Sequence, residues 1–532
     1  MTRNISMNDQ LITDLPQRIV GDFELARGVG QGWIPVIWET AESSGTGLAA
    51  GANSGAPELV LDLKLEGRHV LHFALSAETS LRAWQEGDDS YREFSTQHGG
   101  ENLQECRMHA QDWTNKKLCI SLKTGALPKP TFLAYIRAEP VEKEYCSARN
   151  LVATNDGWSW IALEGIESAR DVRSFFAPLR DSDFRLMLWA PVGADVTGCH
   201  NTKIGTFLPT QNTHAFRQCE RDAGQSLNAY LQSDEPEVLT AAVQAANETD
   251  VGIHFYIRPE AFYAPFPLDG YFVSRFFAEH PELRCRDEFG DEIMRLSYAF
   301  PQVQEHMIEY CEELLEYSPD GLCFAFNRSL PMMICEEPVL AEFEKQNGHR
   351  PDLPKEVDSD AMIAARETLM NGFFERVRQL LSSRGLQFSC MVSPDEELNR
   401  NSGLDLQGLT SHGIFDVVCV HDGGFHAVSN PVAQNPFWNE LKNKTSVYIN
   451  GFGGSYDHVE AAQFLKGVFD AGFAGGFFWD TENLSQNPYN WELVRRGGTR
   501  EYLESEIETP RITTLTRVQG TKLGRYNPQK SY

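Results

Sequence analysis

The sequence has little basic charge, no long apolar run and no paired cysteine motif. Against 75 acidic residues stand 47 basic ones, a formal net charge of −28. A surface of that sign repels nucleic acid and anionic membranes, so neither is expected as a partner. It also disfavours a polyanionic substrate, except where arginines reverse the field locally. No stretch approaches the roughly 18 apolar residues that a membrane helix requires. The opening MTRNISMNDQLITDLPQ lacks the basic-then-apolar pattern of a secretory leader. The 11 cysteines contain no CxxC pair and no zinc-type spacing. Several lie inside apolar runs: Cys323 in GLCFAF, Cys390 in QFSCMV, Cys419 in DVVCV. Such thiols suit a reducing, cytoplasmic compartment. A secreted chain whose leader has been removed would carry the same residues. No cofactor or metal is expected.

What is present is globular: 41% hydrophobic and 11% aromatic residues over 532 positions, enough for two or three domains. Residues 1–150 alternate apolar and polar, as in ELVLDLKLEGRHVLHFALS, KKLCISLKTG and TFLAYIRAEP, with Gly, Asp and Asn turns between. That pattern predicts an antiparallel β-sandwich. From 151 to about 505, apolar strand candidates alternate with helical stretches. Eight strands are predicted: 158–163, 184–190, 251–257, 320–326, 386–392, 415–420, 446–450 and 475–480. The helix before the fourth carries Val303, Met307, Tyr310, Cys311, Leu314 and Leu315 on one stripe. Near-continuous apolar strands joined by helices imply a parallel sheet covered on both faces, here an α/β fold closed as a (β/α)8 TIM barrel. A doubly wound open sheet would place a glycine-rich phosphate loop after its first strand, and EGIESAR is no such loop. Residues 506–532 form a basic tail expected to pack back on the acidic body, and a homo-oligomer is compatible with the sequence.

In a barrel of this kind, chemistry sits where strands end. The predicted strand ends offer Glu164; Asp195; Arg258 and Glu260; Asn327 and Arg328, with Glu336 and Glu337 in the loop beyond; Asp395 to Glu397; His421 and Asp422; Asn450; and Asp480 with Glu482. Trp189 and Trp479 are among the aromatics interleaved with them. Carboxylates, amides and aromatic rings at one rim match sugar recognition. Hydrolysis of a glycosidic bond needs two carboxyl groups in opposite protonation states, and burial beside apolar rings can raise the pKa of one of them. A phosphosugar enzyme is the rival, since glycines at 451–454 and 475–476 follow the pattern of backbone phosphate sites. Asp480 and Glu482 would repel phosphate there, and no lysine ends a strand. A metal hydrolase would want H-x-H where WSW stands.

Much of 151–500 resembles the family 10 glycosylhydrolase-like proteins, a bacterial group with a glycosidase-type barrel. The matching stretches are DGWSWIALEGI, LMLWAPVGADV, the segment AEHPELRCRDEFGDEIMRLSYAFPQVQEHMIEYCEELLEYSPDGLCFAFNRSLPMMICEEPVLAEF, SGLDLQGLTSHGIFDVV and FFWDT. The resemblance implies a carbohydrate-active enzyme, though not a substrate, and draws attention to Arg258, Asn327, Arg328, Glu336 and Asp480; the substrate expected from the rim residues is an oligo- or polysaccharide. Ala325 stands where some members carry Asp. The Asn-Glu of retaining β-glycosidase barrels is absent, so their mechanism does not transfer.

Each residue also has a plain structural role open to it. Glu336 can start the helix EPVLAEFEKQ, Arg258 can pair with an acid such as Glu260, and Asp422 can open a turn. The expectation is a glycoside hydrolase with Glu336 and Asp480 as its carboxyl pair. Trp189, Arg258, Glu260, Asn327, Arg328, Asp422, Trp479 and Glu482 are expected on the sugar. The alternative is a carbohydrate-binding protein on a barrel that has lost catalysis.

Overall fold

A computed structural model describes residues 9–40, 43–96, 103–123, 128–193, 195–207, 218–259, 273–328, 331–421, 435–451, 458–486, 488–508, 517–518 and 522–523. Two antiparallel sheets form the N-terminal part. One contains Leu103–Arg107, Arg68–Leu75, Thr131–Pro140, Ser44–Ala50 and Ile34–Glu39 in that order. The other contains Leu59–Leu61, Leu118–Ser121, Ser80–Gln85 and Arg92–Ser95. Alternation along these strands sends one face of each sheet into a shared core. Leu48, Phe73, Leu133 and Ile136 of the first sheet meet Leu61, Leu81, Phe94 and Ile120 of the second. Two short strands far along the chain, Arg517–Val518 and Lys522–Leu523, extend the larger sheet at its two ends.

Eight parallel strands then close a barrel, as the alternation of apolar runs and helices predicts. They are β1 (Leu151–Asn155), β2 (Phe184–Trp189), β3 (Gly252–Ile257), β4 (Gly321–Ala325), β5 (Gln387–Val392), β6 (Val417–Val420), β7 (Ser446–Asn450) and β8 (Gly475–Phe478). Strands β2 to β8 fall within the predicted runs. The first does not. Residues 158–163 lie in helix α1 (Gly157–Glu164), and the strand is the preceding stretch LVATN. Leu151 to Ala153 pair with both β2 and β8, which closes the cylinder. Glu164, expected at a strand end, instead ends α1, where Lys123 of the N-terminal sheets holds it.

The outer layer includes α2 (Val238–Glu248), α3 (Pro301–Leu315), α4 (Asp360–Ser382) and α5 (His458–Asp470). The stripe from Val303 to Leu315 is buried as its spacing predicts. Outside the barrel, Arg284–Arg286 and Glu292–Leu296 pair as a hairpin ahead of α3. Among the described residues no helix is long and apolar enough to cross a membrane. The described cysteines are free thiols and, Cys146 apart, buried.

Candidate active site

The C-terminal ends of the barrel strands bring several expected residues together. Tyr256 on β3 lies with its ring centroid 6.1 Å from that of Trp479, which follows β8. His421, just past β6, stacks on Trp479 at 4.7 Å and meets Phe477 edge-on at 5.8 Å. Strands β3, β6 and β8 are not neighbours in the barrel order, so these contacts cross its interior and form an aromatic floor. Asn327, in the short turn Phe326–Arg328 after β4, places Nδ2 2.8 Å from Nδ1 of His421. An amide NH2 only donates, so that ring nitrogen accepts and the neutral ring carries its proton on Nε2.

Beside this floor the ends of β1 and β8 are clasped. Thr154 Oγ1 accepts from the Asp480 N–H at 2.9 Å, and the Thr154 carbonyl accepts from the Thr481 hydroxyl. The clasp holds Asp480 at φ 61°, a left-handed conformation that costs most side chains about 1–2 kcal/mol. Helix α6 (Thr481–Gln486) follows and buries Glu482, which is 7% exposed. Glu482 Oε1 accepts from Trp160 Nε1 at 2.5 Å and from the Asp156 N–H at 3.2 Å. Burial first, then the charges of Asp480 and Asp156, push its carboxyl well above the ordinary range. These surroundings favour the protonated form of Glu482, and Asp480 lies partly exposed beside it.

Asp156, immediately after β1, receives Nη2 of Arg258 on both oxygens, at 3.0 and 3.3 Å. Arg258 also reaches the Gly193 carbonyl, and its guanidinium lies 6.0 Å over the Trp158 ring. Asp195, past β2, donates its N–H to the Arg258 carbonyl and accepts from the Ser274 hydroxyl at 2.5 Å. Burial raises its carboxyl to about 6.

Other expected residues lie elsewhere. Glu336 is 1% exposed and caps the root of the outer hairpin. It accepts from the Arg286 N–H at 2.9 Å and from the Ile334 N–H at 3.0 and 3.2 Å, and the Cys285 thiol lies against it. Among the described residues its polar partners are thus those of the hairpin and its own loop. Trp189 is fully buried, and its indole lies so close to Gly157 that an added Cβ would sit 2.2 Å from the ring. Glu260 and Asp422 lie outside the described residues, as does the side chain of Arg328.

Asp156, Thr154, Trp160 and Tyr256 belong to the cluster without having been singled out from sequence. The misplaced first strand hid the first three. The signal for them is the β-branched run LVATN closed by Asp-Gly. Among the described residues no group of three or more His, Cys, Asp and Glu is placed to hold a metal ion. The cluster gathers one carboxyl whose pKa is raised, one partly exposed carboxyl and one carboxylate paired with arginine.

No family model matches the chain, and no curated protein sequence does. Solved structures do. Alpha-L-fucosidase isoenzyme 2 from Paenibacillus thiaminolyticus is 13% identical with a TM-score of 0.41, over 67% of this chain and 50% of that one. A GH31 alpha-xylosidase from Xanthomonas citri is 8% identical with a TM-score of 0.34, over 88% and 52%. An alpha-galactosidase from Thermus thermophilus is 10% identical with a TM-score of 0.35, over 88% and 94%. The chain spans about half the length of the first two. At these identities and TM-scores the likeness carries no argument about activity.

Proposed function

We propose that the chain hydrolyses a glycosidic bond in an oligo- or polysaccharide at the C-terminal mouth of the barrel, with Asp480 as the carboxyl group that meets the sugar. One observation carries this reading: Glu482, Asp480 and Asp156 converge beside the Trp479–His421–Tyr256 floor with the Arg258 guanidinium on Asp156. A sugar ring stacks its C–H face on the aromatics. Asp480, with Glu482 behind it, presents its carboxyl group to that ring. Asp480 and Glu482 touch, so they act as one unit rather than as a pair flanking the bond, which needs carboxyl groups about 5 Å or more apart. The opposing group comes from another strand end, and Glu260 and Asp422 are its sequence candidates, Glu336 being held by the outer hairpin. Residues 1–150 serve as an accessory domain to the barrel at 151–505, with 506–532 returning to the body.

A panel of aryl glycosides and oligosaccharides tests this. Asp480→Asn should lower kcat about 10²-fold or more on whichever substrate the wild type turns over. Amide substitutions of Glu260 and Asp422, assayed in parallel, identify the opposing group, with Glu336→Gln as the control held away from the sugar. Unimpaired turnover by Asp480→Asn would remove the assignment. The second reading, a sugar-binding barrel without catalysis, is favoured by Ala325 at the end of β4 and by the amide bonds that occupy Glu336. Binding of a sugar with turnover of none would establish it.

A further inference from the structure

The geometry points to a second ligand site between the N-terminal sheets and the barrel: a cavity of about 330 Å³ in which Arg92, with Arg107 behind it, takes the oxyanion of a small carboxylate or phosphate. Ligand cavities favour such domain boundaries, and this volume lies at the lower end of their usual range.

Arg92 is 4% exposed, yet among the described residues its guanidinium donates only to main-chain carbonyls, Ser485 O at 2.8 Å and Glu93 O at 3.4 Å. Among the described residues no carboxylate lies within ion-pairing distance of it. A buried cation without an acid is unfavourable, and burial lowers its pKa to about 10. Arg107 has two acids but long contacts to them: Asp181 and Glu492 lie 3.5 and 3.6 Å away, while Glu492 gives both oxygens to Arg495 at 2.6 and 2.8 Å. Burial and the neighbouring Arg495 bring Arg107 down to about 10 as well.

The other acids that line the cavity are engaged. Glu105 accepts from Arg137 and from the Tyr135 hydroxyl, and Glu139 from His72 and Arg137. An anion entering the cavity would therefore meet one guanidinium with no ion pair among the described residues and a second that shares Glu492 with Arg495. Phe94 and Trp491 wall the same space, 5.2 and 5.9 Å from the Arg92 guanidinium, and suit a flat or apolar body on the ligand.

Isothermal titration of the full chain with inorganic phosphate and, separately, with benzoate tests the site. Arg92→Met and a control outside the cavity lining, Arg149→Met, are titrated alongside. The wild type should bind one probe with a Kd of about 1 mM or below, Arg92→Met at least about tenfold more weakly, and Arg149→Met unchanged. Heat with phosphate alone marks a phosphate ester as the ligand class, and heat with benzoate alone marks a carboxylate. Binding of neither probe up to about 10 mM, or equal affinity in Arg92→Met, overturns the site. Should Arg92→Met not fold, Arg107→Met takes its place, and wild-type affinity in that variant overturns the site equally.

Discussion

At the scale of single residues, carboxyl groups of one type are set to different tasks by their neighbours. Glu336 and Glu482 are both buried, but Glu336 faces main-chain N–H groups and Glu482 faces other carboxyls. Replacing Glu336 by Gln turns an amide donor towards those N–H groups and should cost about 1–3 kcal/mol of stability. With the hairpin still in place, turnover should stay within about threefold of wild type. Thermal unfolding and kcat measured on one preparation separate the two effects. Asp195 supplies a pH signature. Its carboxyl moves from 3.8 in the unfolded chain to about 6 in the fold. Between those values the unfolded chain loses its proton first, so this residue's contribution to stability falls as pH rises through that window. Asp195→Asn lacks the titration. Its stability relative to wild type should therefore climb between pH about 4 and about 6, by at most about 3 kcal/mol, and level off above. A parallel course for both proteins across that range would show that Asp195 is not held in this state.

At the scale of elements, strand β1 and helix α1 decide where the site forms. Apolar density makes WSWIAL read as a strand, and seven of the eight strands are legible in that way. Here the density belongs to a helix whose Trp158 and Trp160 serve Arg258 and Glu482. The actual strand, LVATN, is short, and its Thr154 spends its hydroxyl on Asp480 rather than on solvent. Sequence thus exposes Arg258, Asn327, Trp479, Asp480 and Glu482, because strand ends can be counted. It hides Asp156 and Thr154, because their roles depend on contacts made some 326 positions away. Glu336 looked reactive for a related reason. An acid after an apolar loop reads alike whether it faces a sugar or the backbone of a hairpin. The junction also yields a prediction. Gly157→Ala places a methyl 2.2–2.5 Å from the Trp189 indole, which is walled in and cannot swing away. Overpacking of this kind costs about 1–3 kcal/mol. The variant should melt lower and show altered tryptophan fluorescence, whereas Gly372→Ala, with open space around it on α4, should do neither.

At the scale of the whole molecule, the N-terminal sheets are joined to the barrel by charge more than by apolar contact. Tyr91 donates to Asp171, Arg92 reaches the Ser485 carbonyl, and Arg170 lies 4.1 Å over Trp84. The centre of the junction is Lys123, 5% exposed, which bridges Glu93 of the sheets at 2.7 Å and Glu164 of α1 at 2.8 Å. Glu93 has a second cation in Arg82, at 3.0 Å. Glu164 depends on Lys123, and burial followed by the charge of Glu93 raises its carboxyl above the ordinary range even so. Lys123→Met would leave Glu164 buried against Glu93 with no cation bridging them. Breaking a buried pair from one side costs about 3–5 kcal/mol, and removing both charges together costs far less. Lys123→Met should therefore lower the unfolding midpoint sharply at pH 7, and Lys123→Met/Glu164→Gln should restore most of the loss. The single variant should also gain stability relative to the double variant as pH falls from 7 to 5, the direction in which the raised Glu164 carboxyl takes up its proton. Calorimetry of wild type, both single variants and the double variant at the two pH values gives the coupling energy directly. If the double variant is no more stable than Lys123→Met, the bridge is not what ties the two parts together.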